Sequence, residues 1–392
     1  MTISLDPITQ TASTPLDGPA LDQVLAAIAD RAAEHDRLGD FPHEAFPALH
    51  EVGALNLTLP SALGGGGAGI TAGARLVERL GRADPSVALV VSMHVRVHAE
   101  LAQRPETWPT GALAAVQKSS IDGVALINNL NVEPELGTPA RGGLPASIAR
   151  RQSDGAWKIS GRKIYSTGAP ALRWGLVSAR TDEDEPRFGL FLVDFQGPGV
   201  EIDETWDHLG LRASGSHDAV FTDVLVPEDH VIEIKAPGTG RAADPLSWGW
   251  GALTIAALYT GVASAARDWL VGYLNERVPT NLGKPLASLP RFQQSVGEIE
   301  ALLFTNRRLI DGVAQDLDAG GAPTEASLVK HLATENAIRA VDIALTLTAN
   351  PGLKRSNPLE RHHRDVLCGR IHTPQADVVL TAAGRTALER PR

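Results

Sequence analysis

Apolar residues recur at helical spacing through the first 120 residues of the chain. The spacing predicts four helices, over residues 21–36, 42–49 and 71–82 and after an Asp84-Pro85-Ser86 cap, with an extended segment over 55–60. Residues 1–17 are rich in Thr, Ser and Pro, so we expect a flexible tail there. The pattern therefore predicts an N-terminal helical domain over residues 18–120.

Short alternating runs between Gly, Pro and Asp turns follow from residue 121 to residue 236. They predict strands over 124–130, 147–151, 157–165, 174–179, 188–194 and 218–226. Helical spacing returns after Pro245, with helices predicted over 252–274, 292–317, 324–350 and 358–371 and from Pro374 onwards. The order predicts a central β domain over 121–236 and a C-terminal helical bundle over 237–392.

Composition and charge exclude several classes of function. The 392 residues carry a formal net charge of −10 with Lys and Arg spread along the chain, so we expect no nucleic acid partner. The N-terminus lacks the basic start and apolar core of a signal peptide, and the longest clean apolar run, 87–91, is too short to cross a bilayer, so we expect no membrane partner. The single cysteine, Cys368, excludes an internal disulfide and suits a reducing cytoplasm, and no Cys/His spacing suggests a metal site.

The stretch GRKIYSTGAPALRW, residues 161–174, places an aromatic ring and two hydroxyls at the end of a predicted strand. Tyr165, Ser166 and Thr167 precede a bend at Gly168 and Pro170. A ring, hydroxyls and exposed backbone at a strand end suit a planar heterocycle, which can stack on the ring and hydrogen-bond along its polar edge. An ordinary strand and turn would use the same residues, so this stretch alone leaves both interpretations open.

Four motifs in order resemble the acyl-CoA dehydrogenase superfamily, and the resemblance extends from about Leu21 to Leu388. NVEPELG, 131–137, is similar to the T-E-P-x-x-G flavin loop, with Val132 where Thr is usual, and IYSTG, 164–168, is similar to the second flavin motif. LGLRASGSHDAVFTDVLVP, 209–227, is similar to the stretch that leaves the β domain. RHHRD, 361–365, is similar to the Arg-Asp pair before the active-site loop.

The resemblance implies an α+β multidomain protein of acyl-CoA dehydrogenase fold, with an N-terminal helical domain, a central antiparallel β-barrel domain and a C-terminal four-helix bundle. It implies a flavin between the β domain and the bundle, and a homotetramer or homodimer in which a neighbouring subunit completes the site. The cofactor-binding residues that it implies are Asn129, Asn131, Val132, Gly137, Thr138, Tyr165, Ser166, Thr167, Arg277, Gly352, Thr373 and Gln375.

The choice between FAD and FMN stays open. The superfamily holds the adenosine end of FAD with an Arg in R-x-x-F-G and with a Q-x-x-G-G-x-G motif. Here RVPTNLG, 277–283, is longer than the first motif, and TLTANPG, 346–352, matches the second only at Gly352. We expect FAD, with FMN as the alternative.

A glutamate base follows the Arg-Asp pair in most acyl-CoA dehydrogenases, and the matching position here is Thr373. Threonine cannot act as a carboxylate base at neutral pH. Some relatives place the base on another helix, at the equivalent of residues 253–257, where this chain has no acid. Thr373 followed by Pro374 instead predicts a helix N-cap with proline in the first turn.

The polar residues that remain resemble the flavin-dependent monooxygenase branch of the superfamily, typified by dibenzothiophene monooxygenases. The resemblance implies catalytic roles for His94, His98, Asn129, Ser166 and His372, and a place beside the substrate for Trp206. His94 and His98 are one helical turn apart and share a face. Imidazoles and hydroxyls beside a flavin that reacts with oxygen can donate hydrogen bonds and supply a proton.

The leading hypothesis is a flavin-dependent oxidoreductase that uses oxygen. It would be a monooxygenase supplied with reduced flavin by a separate reductase, or an oxidase of an amine or acyl-type small molecule, with Arg212 and His217 as further substrate-binding candidates. One alternative is an acyl-CoA or acyl-carrier dehydrogenase with a displaced base. Another is a flavin-binding protein without catalysis. The sequence does not identify the substrate.

Overall fold

The computed structural model describes residues 18–135, 143–236 and 245–389. The first five α-helices form an N-terminal layer. These helices are α1 (Pro19–Leu38), α2 (Ala45–Glu51), α3 (Ile70–Ala83), α4 (Pro85–Gln103) and α5 (Thr110–Asp122). α1 ends at Gly39, whose φ of 73° is a left-handed conformation that glycine adopts without strain. α4 begins as predicted, because the Asp84 side chain accepts a hydrogen bond from the Ser86 amide at 2.7 Å.

A curled sheet follows the N-terminal helices. Its strands are β1 (Leu126–Leu130), β2 (Ile148–Arg151), β3 (Trp157–Lys163), β4 (Leu172–Thr181), β5 (Phe188–Asp194), β6 (Val200–Asp203), β7 (Asp218–Val226) and β8 (Val231–Lys235). The order is β6-β7-β3-β2-β4-β5-β8, with β1 paired to β4. Most pairs are antiparallel, whereas β1 and β2 run parallel to β4. Because Lys163 at the end of β3 pairs with Ala219 at the start of β7, the loops beyond these two residues lie side by side.

The C-terminal part is helical, and α6–α9 form the expected four-helix bundle. The helices are α6 (Pro245–Glu276), α7 (Pro290–Asp318), α8 (Ala326–Thr348), α9 (Pro358–Leu367) and α10 (Ala376–Glu389). α6 packs against α3 and α4 on one side and against α7, α8 and α9 on the other. Its approach to α3 is close, because a Cβ on Gly81 would lie 2.4 Å from the Leu258 carbonyl and one on Gly261 would lie 2.2 Å from the Glu78 carbonyl.

The three layers share one continuous apolar core. Its buried members include Leu80 on α3, Val177 on β4, Leu258 on α6 and Val341 on α8. Burial of each such side chain contributes about 1.5–3 kcal/mol relative to exposure, so the β sheet is fixed against both helical layers. Within the described residues, no helix is both long enough and apolar enough to cross a membrane.

Several elements differ from the sequence-based prediction. Residues 55–60 form turns rather than an extended segment, because the glycine-rich loop after them folds back: the Gly66 amide donates to the Asn56 carbonyl and the Gly67 amide donates to the Leu59 carbonyl. The predicted elements do not include α5, β6 or β8. α10 begins at Ala376 rather than at Pro374, so Thr373 is not its N-cap, and that prediction was wrong.

Candidate active site

Two neighbouring loops, one after the end of β3 and one before the start of β7, are joined by backbone hydrogen bonds. They are the Tyr165 loop (residues 164–168) and the Ser214 loop (residues 209–217). The Ser166 amide donates to the His217 carbonyl at 2.9 Å, and the Gly168 amide donates to the Ser214 carbonyl at 3.0 Å. Tyr165 has φ 57°, a left-handed conformation that is strained for a residue with a side chain and persists only where its surroundings hold it. Hydrogen bonds to the Ser214 loop therefore fix the conformation of the Tyr165 loop.

Three aromatic rings contact one another beside the Tyr165 loop. Trp206 stacks on His208 with ring centroids 3.6 Å apart, and Tyr165 meets both rings edge-on at 6.3 and 6.1 Å. The Trp206 indole donates to the Leu211 carbonyl at 3.0 Å, and the Trp206 amide donates to His217 Nδ1 at 3.1 Å. Tyr165 is 54% exposed, so a flat ring remains open for stacking. The structure brings Tyr165, Trp206 and His217 together and adds His208, which sequence reasoning missed.

Hydroxyl groups line the same two loops. Ser166 is fully buried, and its Oγ has no hydrogen-bond partner among the described residues. Thr167 Oγ1 and Ser216 Oγ are 2.9 Å apart, and Ser216 Oγ lies 2.8 Å from Ser214 Oγ. Sequence reasoning missed Ser214 and Ser216, although the SGS triplet that holds them was the available signal.

β1 connects the Tyr165 loop to helix α4. The Asn128 side chain donates to the Thr167 carbonyl at 3.0 Å, and its Oδ1 accepts the Asn129 amide at 2.7 Å. Asn129 Oδ1 is buried without a partner in the described part of the chain. A Cβ on Gly168 would lie 3.1 Å from a methyl group of Val90, so α4 packs directly against this loop.

The two α4 histidines differ in their hydrogen bonds. His94 Nε2 donates to the Leu55 carbonyl at 2.9 Å, and its Nδ1 accepts the Ile127 amide at 3.2 Å. The His98 ring lies 4.2 Å from the His94 ring, and neither His98 nitrogen has a partner among the described residues. Burial lowers the pKa of His94 to about 4 and the pKa of His98 well below its ordinary value. Both imidazoles are therefore neutral at pH 7.

The segment between α9 and α10, residues 368–375, carries His372. His372 Nε2 is buried without a partner among the described residues, and its ring lies 5.9 Å from the ring of Tyr259 on α6. Burial, together with the charge of Lys330, lowers the pKa of His372 to about 4, so this imidazole is also neutral at pH 7. Thr373 is exposed beside it. Gln375 Nε2 donates to the Ile371 carbonyl at 3.3 Å, within the same segment.

The Arg-Asp pair of α9, just before this segment, bonds to the Ser214 loop. Asp365 Oδ1 accepts the Leu211 amide at 2.7 Å, and burial raises the pKa of Asp365 to about 7. Arg364 donates to the Leu209 carbonyl at 3.0 Å and to the Asp36 carboxylate at 2.9 and 2.6 Å. The Ser214 loop is therefore bonded both to the Tyr165 loop of the β domain and to α9 of the helical bundle.

Arg212 has partners within the protein. Its Nε donates to the Asp36 carbonyl at 2.8 Å, and its Nη1 donates to the His208 carbonyl at 3.2 Å and to Asp207 at 3.3 Å. The structure thus uses Arg212 to hold the Ser214 loop against the end of α1. Its expected role in substrate binding would need these bonds to be exchanged.

The remaining predicted cofactor residues fall into three groups. Asn131 and Val132 follow β1, and the Val132 carbonyl accepts the Ile164 amide at 3.0 Å, so this pair borders the Tyr165 loop. Arg277 is exposed just beyond α6, and Gly352 is buried after α8, where a Cβ would lie 2.2 Å from Thr348 Oγ1. Among the described residues, no side-chain hydrogen bond joins Arg277 to the Tyr165 loop. Gly137 and Thr138 lie outside the described residues.

A buried ion pair beneath the Tyr165 loop was missed by sequence reasoning. Lys163 is fully buried, and its Nζ lies 2.5 Å from Glu133 Oε1 and 3.1 Å from Ser178 Oγ. Glu133 also accepts the Ser147 hydroxyl at 2.6 Å and the Ala146 amide at 2.5 Å. Burial lowers the pKa of Lys163 to about 8. Glu133 in NVEPELG was the residue that could have indicated this pair in the sequence. The pair joins NVEPELG to the strand end directly before IYSTG.

These residues fit a flavin ring. Tyr165 offers a stacking face, and Ser166 Oγ and Asn129 Oδ1, which have no partner in the described stretches, offer hydrogen bonds to a polar edge. The strained, doubly anchored Tyr165 loop supplies the rigidity that a precise binding site requires.

Comparisons with known proteins agree with this fit. Residues 21–104, 132–224 and 253–375 match the N-terminal, middle and C-terminal domain models of acyl-CoA dehydrogenases. The chain is 37% identical over 363 residues to YdbM of Bacillus subtilis (strain 168), provisionally named an acyl-CoA dehydrogenase, covering 91% of this chain and 93% of that protein. It is 30% identical over 397 residues to L-evernosamine nitrososynthase of Micromonospora sp. (strain ATCC 39149 / NRRL 15099 / SCC 1413), covering 95% and 89%.

A solved structure extends the comparison to the cofactor. KijD3, in complex with FMN and dTDP-3-amino-2,3,6-trideoxy-4-keto-3-methyl-D-glucose, matches this fold with a TM-score of 0.81 and 28% identity, covering 97% of this chain and 98% of that one. The chain therefore belongs to the acyl-CoA dehydrogenase family and is a flavin-dependent oxidoreductase.

Proposed function

We propose that this chain is a flavin-dependent monooxygenase that uses dioxygen and receives its reducing equivalents from a separate flavin reductase. One observation carries the proposal: an exposed threonine, Thr373, stands where most of the family has its glutamate base, and beside it His372 has a buried ring nitrogen without a partner in the described chain. A carboxylate would favour removal of a proton from a thioester substrate. Neutral imidazoles favour chemistry that needs hydrogen bonds and a proton rather than a strong base.

The chain's own residues have complementary roles in this proposal. When bound, the flavin supplies two-electron redox chemistry and the position at which dioxygen is activated. Tyr165 holds the ring by stacking, and Ser166 Oγ and Asn129 Oδ1 bond to its polar edge. A neutral imidazole has one donor and one acceptor nitrogen. His98 and His372 can therefore each donate a hydrogen bond to a reacting oxygen or accept one from the substrate, since both ring nitrogens of His98 and Nε2 of His372 have no partner among the described residues.

We propose an amine-bearing small molecule as the substrate class. The support is the names of two relatives: a nitrososynthase at 30% identity, and KijD3, whose solved complex contains an amino sugar nucleotide. A neutral imidazole can exchange a hydrogen bond with an amine that binds as the free base, whose nitrogen lone pair is available to react. His372 and His98 are neutral at pH 7 because burial lowers their pKa values.

A stopped-flow experiment tests the proposal without knowledge of the substrate. The flavin-loaded protein is photoreduced without oxygen and then mixed with dissolved dioxygen. We expect a transient absorbance that belongs to neither the reduced nor the oxidised flavin, before slow reoxidation. Direct return to the oxidised spectrum would contradict oxygen insertion and support an oxidase.

A second candidate function is an acyl-CoA or acyl-carrier dehydrogenase with a displaced base. The observation that favours it is Glu100, a buried carboxylate on α4 that accepts a hydrogen bond from Ser247 in the first turn of α6 and lies 3.4 Å from Arg96 Nε. The relation to YdbM agrees with it. This candidate predicts that an acyl thioester bleaches the bound flavin anaerobically and that Glu100→Gln abolishes the bleaching.

We also propose that the chain acts in the cytoplasm as a homotetramer or homodimer. Phe304 on α7 and Leu332 on α8 are 61% and 45% exposed, and a second copy would cover such apolar side chains. Light scattering coupled to gel filtration measures the subunit number, and a monomer over the working concentration range would contradict this assembly.

A further inference from the structure

Lys330 on α8 makes three hydrogen bonds with the segment that carries His372. Its Nζ donates to the carbonyls of Gly369, His372 and Pro374 at 2.9, 2.7 and 3.1 Å. An ammonium group has three N–H donors, so this side chain uses all of them on one short stretch of main chain. Lys330 is 2% exposed. The contacts lie in the backbone and leave the imidazole of His372 free.

This arrangement differs from an ordinary buried ion pair. The bonds of Lys330 go to neutral carbonyls, while Glu335 on the same helix pairs with Arg370 at 2.9 and 2.7 Å. Burying an ammonium without a directly bonded carboxylate is costly, so a merely structural anchor would more simply be apolar. The buried ammonium of Lys330 therefore indicates a role that depends on its hydrogen bonds to these carbonyls.

Packing holds the two ends of the segment more closely than its middle. A Cβ on Gly369 would lie 2.7 Å from Thr334 Cγ2 and 3.0 Å from Tyr259 Cδ2, so the chain is pressed onto α8 and α6 at that residue. After Gly369, Ile371 is 75% exposed and Thr373 is exposed, whereas His372 is half-buried and Pro374 is buried. Lys330 spans this stretch and bonds on both sides of it.

We propose that Lys330 is a positioning residue for the reaction, whose ammonium holds the main chain of residues 369–374 so that the His372 imidazole faces the flavin. This inference rests on the proposed function, because it assigns His372 a role there. Lys330 contacts neither substrate nor flavin in this scheme and acts through the main chain of His372.

We call the three hydrogen bonds from Lys330 to residues 369–374 the clamp. The clamp should make the conformation of this segment sensitive to alkaline pH. The ionisable groups around Lys330 are His331 and Glu335 on its own helix, Arg370 and His372 on the segment, and Tyr259 on α6. Burial lowers the pKa of Lys330 to about 8, whereas Glu335 and Arg370 stay paired and His372 stays neutral. Loss of the Lys330 proton removes one of its three donors, so the segment loosens as the pH rises through that value.

Hydrogen–deuterium exchange tests the clamp directly. We expect Lys330→Met, which keeps the chain length and removes the donors, to raise deuterium uptake in residues 369–374 about tenfold or more, in the flavin-free and flavin-loaded protein alike. Arg370→Gln is the matched control, because it removes an exposed cation of the same segment whose side chain, within the described part of the chain, hydrogen-bonds to Glu335 and not to the segment's main chain. Equal uptake in Lys330→Met and the wild-type protein would overturn the inference.

Reoxidation of the photoreduced protein by dioxygen tests the consequence. Lys330→Met should slow the decay or formation of the transient about as much as His372→Ala, and the double variant should be no worse than His372→Ala alone, because both act through one group. Additive losses would overturn the inference. If His372→Ala itself behaves as wild type, the proposed function loses its histidine, whereas a defect in His372→Ala without one in Lys330→Met removes only the clamp.

The wild-type protein supplies the test should Lys330→Met fail to fold. Uptake in residues 369–374, corrected for intrinsic exchange, should rise between about pH 7 and about pH 9.5. Uptake in β5, residues 188–194, which is held by backbone pairing to β4 and β8 and to which Lys330 does not bond, should stay constant after the same correction. A constant corrected uptake in both segments would overturn the clamp.

Discussion

His94 and His98 lie one helical turn apart on α4, with ring centroids 4.2 Å apart and ring planes tilted by 60°, and of the two only His98 has nitrogens without a partner among the described residues. His94 bridges the Leu55 carbonyl and the Ile127 amide, which fixes its tautomer with hydrogen on Nε2. An imidazole bonded at both nitrogens cannot also bond a substrate. The two histidines that the sequence presents as a pair therefore have different expected roles.

Substitution of the two histidines should separate these roles. His94→Leu leaves a buried carbonyl and a buried amide unpaired, so we expect a loss of about 1–3 kcal/mol in the free energy of unfolding for each group. His98→Leu removes two nitrogens that have no partner within the described chain, so stability should be kept while oxygen reactivity changes about tenfold or more. Urea unfolding and stopped-flow reoxidation measure the two effects. A stable His94→Leu protein, or an unchanged His98→Leu reaction, would reverse the assignment.

His372 should matter for reactivity but not for folding. His372→Ala removes an imidazole with a free buried nitrogen, so we expect the oxygen reaction to change by about 10²–10⁴-fold with the flavin content unchanged. His43→Ala is the matched control, because His43 is exposed and its ring meets the Phe41 ring edge-on. Stopped-flow reoxidation and the flavin-to-protein absorbance ratio measure the outcome. Wild-type rates in His372→Ala would remove this histidine from the mechanism.

Ser166 offers a test of flavin binding that folding does not confuse. Its Oγ is buried without a partner among the described residues, so Ser166→Ala should leave the stability of the flavin-free protein unchanged or slightly higher. If the hydroxyl bonds to the flavin, its loss should weaken binding by about 1 kcal/mol, or roughly fivefold in Kd. Calorimetric titration with FMN and with FAD measures both affinities. Unchanged Kd values would place the flavin edge elsewhere.

Local pattern predicted most of the fold. The β3 strand, its end before Tyr165 and the Asp84 cap of α4 all follow from residues close in sequence. β6 escaped prediction because its four residues are half-buried or exposed and carry little apolar signal. The turns at 55–60 were not predicted, because alternating leucines have the pattern of a strand. These leucines are buried instead by the fold, and the glycine-rich loop bonds back to this segment, which the local pattern does not show.

The site was predictable in its residue types but not in its pairings. Motif resemblance indicated Tyr165, Trp206 and the histidines, since these lie within recognisable stretches. Whether a given imidazole is bonded or free depends on main-chain groups such as the Leu55 carbonyl, 39 residues away, which no local pattern encodes. The Lys163–Glu133 and Lys330 contacts are likewise made between distant segments.

The Lys163–Glu133 pair gives a stability prediction. Lys163→Met leaves a buried carboxylate, and Glu133→Gln leaves a buried ammonium, so each should lower the free energy of unfolding by about 3–5 kcal/mol. The double variant should lose less than the sum of the two, because neither charge then remains unpaired. Lys118→Met breaks an exposed pair with Asp122 and should cost at most about 1 kcal/mol. Urea unfolding measures all four, and additive single losses would show that the charges do not interact.

His35 gives a stability prediction that depends on pH. Its Nδ1 and Nε2 each lie 2.7 Å from a carboxylate, Asp40 and Glu44, so both nitrogens must carry hydrogen and the ring is an imidazolium. Burial lowers the pKa of His35, but the hydrogen bonds and charges of Asp40 and Glu44 outweigh it and raise the pKa above the ordinary value of 6.5. A raised folded-state pKa stabilises fully below that ordinary value, and the stabilisation is lost as the pH rises through the folded-state pKa.

The urea midpoint of the wild-type protein should therefore fall as the pH rises above about 6.5, and part of that fall should belong to His35. His35→Gln removes the titrating group, so its midpoint should be lower at acidic pH and should change less across the same range. The neighbouring exposed His43→Gln should keep the wild-type slope, because His43 lacks the two carboxylate contacts that raise the pKa of His35. Equal slopes in His35→Gln and the wild-type protein would show that the ring is neutral in the folded state. One of its two contacts would then have to be a hydrogen bond to a protonated carboxyl group, since a neutral imidazole carries hydrogen on only one nitrogen.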